Sequence, residues 1–128
     1  MTNVCFRPEA DLRLVLHFWH RGELRVQIPD DVLDYYRSGA PLIRNIPSQE
    51  LDCEFYGEDV VLRYNEEYEV PEYAPGYFMF ATNGGGELIA LSPIGSVVRM
   101  PFIGMGAKDA WLVAPSFAKL LELLAPCE

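Results

Sequence analysis

Tyr77-Phe78-Met79-Phe80-Ala81-Thr82-Asn83-Gly84-Gly85-Gly86-Glu87-Leu88-Ile89-Ala90-Leu91 sets two apolar runs on either side of a polar, glycine-rich break. Each run is short for a buried helix and long enough for a strand. Glycine lacks a Cβ and enters left-handed backbone conformations freely, so three in a row between such runs predict a tight turn and an antiparallel hairpin. A phosphate cradle would need G-x-x-x-x-G-K-[ST] leading into a helix. Here the acid Glu87 and a second apolar run follow the glycines, which favours the turn. Working outward, Cys53–Phe55, Val60–Tyr64 and Ser96–Met100 are further short β-branched or aromatic runs. Gly57-Glu58-Asp59, Pro71 to Gly76 and Ser92 to Gly95 separate them. Residues 77–100 are therefore predicted to form three consecutive antiparallel strands, with Phe78 and Phe80 on one face because side chains alternate along a strand.

Helical spacing is found toward the two ends. Over 8–21, Leu12, Val15, Leu16 and Trp19 make one apolar stripe, with Pro8 at the start, His17, His20 and Arg21 in the last turn and Gly22 as the stop. Leu24, Val26 and Ile28 alternate with polar residues, which predicts a short extended segment ended by Pro29. Asp30 or Asp31 can cap a second helix through about Arg37, with Val32, Leu33 and Tyr36 inward, and Pro41 to Ser48 reads as a loop. A last helix is predicted over 115–124, with Phe117, Leu120, Leu121 and Leu124 facing the sheet. Strands grouped between helices predict an α+β fold, a mostly antiparallel sheet with helices from both ends of the chain packed on it. The 128 residues suit one domain over 1–128.

Half the residues are apolar and 23% are charged, which argues against a disordered chain. The net charge of −9 argues against generic binding to nucleic acid or to an anionic membrane surface. No secretory pattern opens the sequence, and no apolar run reaches the ~20 residues that span a bilayer. Cys5, Cys53 and Cys127 are odd in number and lack C-x-x-C spacing, which points to free thiols in a reducing cytoplasm. His17 and His20 stand three apart but have no partnering ligands in the sequence, and charge at a helix C-terminus accounts for them, so no metal and no cofactor are expected. There is no calcium-loop pattern and no G-x-S-x-G elbow.

The charge is concentrated. Residues 50–72 hold nine acids and one base, net −8, whereas residues 1–49 balance. Tyr56, Tyr64, Tyr68 and Tyr73 are interleaved with those acids. A solvated, solubilising face is one reading. The other is a surface that steers a basic partner, with tyrosines as anchors. On that reading the partner-binding residues are Tyr64, Glu66, Glu67, Tyr68, Glu69, Glu72 and Tyr73.

The segment quoted first, with the turn Gly84, Gly85, Gly86 and Glu87 at its centre, resembles the central signature of the SUKH superfamily, which contains fungal cell-wall-synthesis regulators and bacterial immunity proteins. Ser96-Val97-Val98-Arg99-Met100-Pro101-Phe102 is similar to the strand that follows in that family, and Ala114 to Leu124 to its final helix. Upstream, Tyr64-Asn65-Glu66-Glu67-Tyr68-Glu69-Val70-Pro71 and Ile28-Pro29-Asp30-Asp31 are similar to its earlier pieces. The resemblance spans roughly residues 24–124. It implies an α+β fold and no catalysis. It implies a cytoplasmic protein-binding domain, an immunity protein that neutralises a cognate toxin such as a nuclease or deaminase. A regulatory scaffold with an endogenous partner is the alternative, and a small-molecule hydrolase with a site around the glycine turn is a third.

Overall fold

The computed structural model describes residues 28–125. The helix expected over 8–21, the pair His17 and His20, most of the extended segment from Leu24, and Cys5 and Cys127 lie outside the described residues. Within them the chain runs α1 (Asp30–Arg37), β1 (Ile43–Ile46), β2 (Leu51–Phe55), α2 (Val61–Glu67), α3 (Val70–Tyr73), β3 (Phe78–Thr82), β4 (Glu87–Leu91), β5 (Val97–Pro101), β6 (Trp111–Ala114) and α4 (Phe117–Leu123). The six strands form one sheet in the order β1-β2-β3-β4-β5-β6, every neighbouring pair antiparallel. The fold is α+β, as the sequence pattern predicts.

The glycine turn produces the central meander. Gly84 (φ 76°) and Gly86 (φ 103°) take left-handed conformations that a Cβ would penalise. Thr82 and Asn83 supply the rest. The Thr82 hydroxyl donates to Glu87 O and accepts from the Gly84 N–H, while Asn83 Oδ1 accepts from the Gly85 and Glu87 N–H groups. Phe78 and Phe80 do share a face, and a bulge between Met79 and Ala81 brings Ala81 to that face as well.

Both faces of the sheet are covered. On the first, α1 and α4 bury Val32, Tyr35, Phe117 and Leu120 against Cys53, Phe55, Phe80 and Ile89. Tyr35 stacks on Phe55 with ring centroids 4.5 Å apart, and Phe117 meets Phe80 edge-on at 5.3 Å. On the second face, Val70 and Ala74 pack on Met79, Leu88, Ala90, Val98 and Met100. The two ends of the sheet are tied together. Gln49 Nε2 donates to Val113 O (2.9 Å), Arg44 donates to Ala125 O (2.7 Å), and the Ala125 N–H donates to Asn45 O (2.9 Å).

Several local expectations are corrected. Val60–Tyr64 is not a strand. The chain turns at Gly57, whose carbonyl accepts from the Val60 and Val61 N–H groups, and Val61, Leu62 and Asn65 then fall on one buried helical face. Tertiary burial overrides the β propensity of that run. The stretch expected as a loop contains β1, an edge strand of alternating burial between Pro41 and Pro47. Pro29, not an aspartate side chain, occupies the N-cap of α1, and Asp30 and Asp31 sit in the first turn beside its positive end. Tyr35 enters the core while Tyr36 is half-buried on the flank. In α4 the inward positions are Phe117 and Leu120, and Leu124, just past its end, is buried as well. Leu121 stands a step round the helix and is 36% exposed. Ser116 caps this helix, its hydroxyl accepting from the Lys119 N–H.

Candidate functional site

The second face carries the site, and it grows out of the glycine turn. The Gly86 carbonyl accepts from the Phe102 N–H at 3.0 Å, which fixes Phe102 just past the end of β5. Phe102 meets the Tyr68 ring at 4.7 Å, Tyr68 meets Tyr64 at 6.3 Å, and Tyr64 meets Tyr56 edge-on at 4.8 Å. Four rings from β2's exit, α2 and β5's exit thus form one row. Such ring pairs are each worth about 0.5–1.5 kcal/mol beyond the area they bury. The row starts inside: burial, with Tyr68 and Tyr64 nearby, pushes the Tyr56 phenol up to about 12. It reaches the surface at Tyr68, which is 46% exposed, before closing on Phe102.

The elements explain why these rings meet. Tyr64 and Tyr68 are four apart, one turn of helix, so they lie on one side of α2. Tyr56 follows Glu54 on the second face of β2, because Leu51, Cys53 and Phe55 point into the first-face core. Asn65 locks α2 to the sheet. It is wholly buried, with Nδ2 donating to Met79 O and Val61 O and Oδ1 accepting from the Met79 N–H.

Around the row stand the acids. Glu66, Glu67, Glu69 and Glu72 are all exposed on α2, the α2–α3 link and α3. Arg63 lies over the Tyr64 ring, 5.4 Å from its centroid, and pairs with Glu67 at 3.5 Å. Glu69 holds φ 59°, a left-handed conformation that only this link imposes on it. The other acids of residues 50–72 spread further. Glu50 sits at the β1–β2 turn, Asp52 and Glu54 on β2, and Glu58 and Asp59 before α2.

Phe102 therefore links Tyr68, and through it Tyr64, to the turn Gly84–Glu87, two sets of residues that the sequence offered separately. Tyr73 is 54% exposed on α3. Phe102 is the residue that sequence reasoning missed. Its role depends on strand register, and its only local signal is an aromatic immediately after Pro101. Glu87 faces elsewhere: its carboxylate accepts from Asn83 Nδ2 (2.9 Å) and pairs with Arg99 (3.4 Å), and Arg99 in turn lies over Trp111. The polar groups of the turn are thus engaged with one another.

Cys53 belongs to the first-face core, and burial pushes its thiol up to about 12, so it holds its proton and is a poor nucleophile. Among the described residues no group of three or more His, Cys, Asp and Glu could hold a metal ion, and no helix is long and apolar enough to cross a membrane. Two adjoining grooves of about 400 and 320 Å3 lie between α1 and α4 on the opposite side, sharing Asp31 and Phe117. No family model matches the chain, and no curated protein matches it.

Proposed function

We propose that this chain is a non-catalytic protein-binding domain, an immunity protein that neutralises a basic toxin domain, a nuclease or deaminase, in the cytoplasm. The observation that carries the reading is the row Tyr56–Tyr64–Tyr68–Phe102, which surfaces at Tyr68 among the exposed carboxylates Glu66, Glu67, Glu69 and Glu72. Exposed carboxylates attract a cationic partner over about 8–10 Å, the reach of charge at physiological salt, and speed encounter. Exposed aromatic rings held by their neighbours lose little freedom on contact and hold the partner once it arrives. The resemblance of residues 24–124 to the SUKH superfamily supports the same reading. A regulatory scaffold would use this surface in the same way and differ only in its partner.

The test is a pull-down that identifies the partner, then co-expression of this chain with that partner, followed by stopped-flow binding of the purified pair. Growth should be rescued. Glu66→Gln, Glu67→Gln and Glu69→Gln combined should slow association severalfold, and added salt should slow the wild type similarly. Growth arrest despite equal expression, or wild-type association by the triple variant, would overturn the reading.

A further inference from the structure

We infer that the exposed ring of Tyr68 is a seat for an arginine side chain of the basic partner, an inference that rests on the protein-binding reading above. Arg63 already illustrates the chemistry within the chain. Its guanidinium lies 5.4 Å from the Tyr64 centroid, and its Nε stands 3.5 Å from a carboxylate oxygen of Glu67, four residues on. Ring face and carboxylate hold the cation together. The attraction is to the ring quadrupole on one side and to formal negative charge on the other.

One turn further along, at the end of α2, a second ring stands without a cation. Tyr68 follows Tyr64 by four residues, and the exposed acids Glu66, Glu67, Glu69 and Glu72 lie on α2, the link and α3 to either side of it in sequence. The position matching Arg63 is Glu67, which carries a negative charge and is committed to Arg63. Among the described residues no guanidinium or ammonium lies over Tyr68. Phe102 backs the ring at 4.7 Å with 39° between the planes, so the ring is held while 46% of the residue stays open. The Gly86 carbonyl holds Phe102 by its N–H, which makes the backing part of the sheet and not a loose side chain.

The charge of this region selects the occupant. Residues 50–72 carry net −8, so an anionic or neutral group gains nothing here that a cation would not exceed. Arginine suits the seat better than lysine. Its planar guanidinium is weakly hydrated, stacks on a ring face and still presents N–H groups at its edge to carboxylates, whereas an ammonium keeps its water. The partner is thus a protein segment that presents arginine.

The probe is the peptide acetyl-(Gly-Arg)3-amide, titrated into the full chain while the aromatic signals of Tyr68 and Phe102 are followed by NMR. The same peptide with lysine, or with the neutral isostere citrulline, is the control. Arginine should move both ring signals, lysine should move them less, and citrulline should leave them unchanged. Tyr68→Phe should bind as the wild type does, and Tyr68→Leu should bind about two- to fivefold more weakly, the size of an exposed cation–ring contact. The ring signals of the wild type decide the matter even if Tyr68→Leu folds poorly. Binding with unmoved Tyr68 and Phe102 rings, equal binding by lysine and arginine, or no binding of the arginine peptide would each overturn the seat. Rescue from the toxin would still stand in those cases, whereas failed rescue with moved rings would sink the immunity reading and leave the seat.

Discussion

Asn65 acts as a missing strand for Met79: its carboxamide accepts from the Met79 N–H and donates to the Met79 carbonyl, both at 2.9 Å. The β2 ladder reaches only as far as Phe55 opposite Ala81, with one further bond from the Tyr56 N–H to Phe80 O, before the chain turns away at Gly57. Met79 would otherwise bury two unpaired backbone groups, and each such group costs about 1–3 kcal/mol. Asn65→Leu should therefore destabilise the protein by more than a volume-matched core exchange would, about 2–4 kcal/mol in urea denaturation. The Met79 amide should also exchange its hydrogen much faster. Asn65→Asp keeps the acceptor but loses the donor and buries a carboxylate, so it should be no milder.

Leu120 and Leu121 are neighbours with opposite fates. Leu120 is fully buried and Leu121 is 36% exposed at the rim of a groove with Asp34 and Tyr35. Leu120→Ala should cost about 2–5 kcal/mol and Leu121→Ala under about 1 kcal/mol. Comparing the two denaturation midpoints checks the register of α4 directly. Equal losses would show that the helix sits differently.

The glycines of the turn should not tolerate exchange equally. Gly84 has φ 76°, and a Cβ there would meet a Glu54 carboxylate oxygen at 3.0 Å. Gly84→Ala should lose about 1–2 kcal/mol from the left-handed backbone alone. At Gly85 the nearest atom to an added Cβ is Asn83 Oδ1 at an ordinary 3.7 Å, so Gly85→Ala should be within about 0.5 kcal/mol of the wild type. Thermal unfolding of the pair would separate them.

Alkali should unfold the protein by way of Cys53 and the tyrosines. Burial raises the Cys53 thiol from 9.0 to about 12 and the Tyr56 phenol from 10.0 to about 12. Burial, then Glu58 and Asp59, raise the Tyr36 phenol further. Each group holds its proton more tightly folded than unfolded. The associated stability is fully present below the unfolded values and is lost as the pH climbs through 9 and 10 toward about 12. The urea midpoint should be level in this respect from pH 7 to 8 and fall above pH 9, with Cys53→Ala removing the earliest part of the fall. In a background with Cys5 and Cys127 changed to serine, Cys53 should resist a thiol reagent at pH 8 until urea unfolds the chain.

The central meander was legible because its signals are local: alternating apolar residues and glycines where the backbone must turn left-handed. The last helix was legible for the same reason, through Phe117, Leu120 and Leu124. Val60–Tyr64 was not, since its β-branched residues would suit either state and the deciding partner, Met79 on the far side of Asn65, is 14 residues away. β1 and β6 are edge strands of four residues each, too short to carry a pattern. The acids and tyrosines of the site were visible as composition. Their order in space was not, because Phe102 joins them only through the register of β4 against β5. The residues that carry the binding proposal thus come from a readable segment, and their arrangement comes from an unreadable one.

The ties between the ends of the sheet have a further consequence, for how the protein is made. Arg44 and Ala125 are 81 residues apart, and Gln49 and Val113 are 64 apart. Contacts of such long range require large loops to close before they yield any stabilisation, so they slow folding. On the ribosome, the β1–β2 hairpin and the β3–β5 meander can each emerge and begin to pair, but the sheet cannot join its first strand to its last segment until residue 125 has left the exit tunnel. Until then the first-face groups that α4 later covers, Phe55 and Phe80 among them, stand open to other chains. The nascent protein is exposed to aggregation until residues 117–125 emerge, and a chain truncated before Phe117 would extend that interval indefinitely.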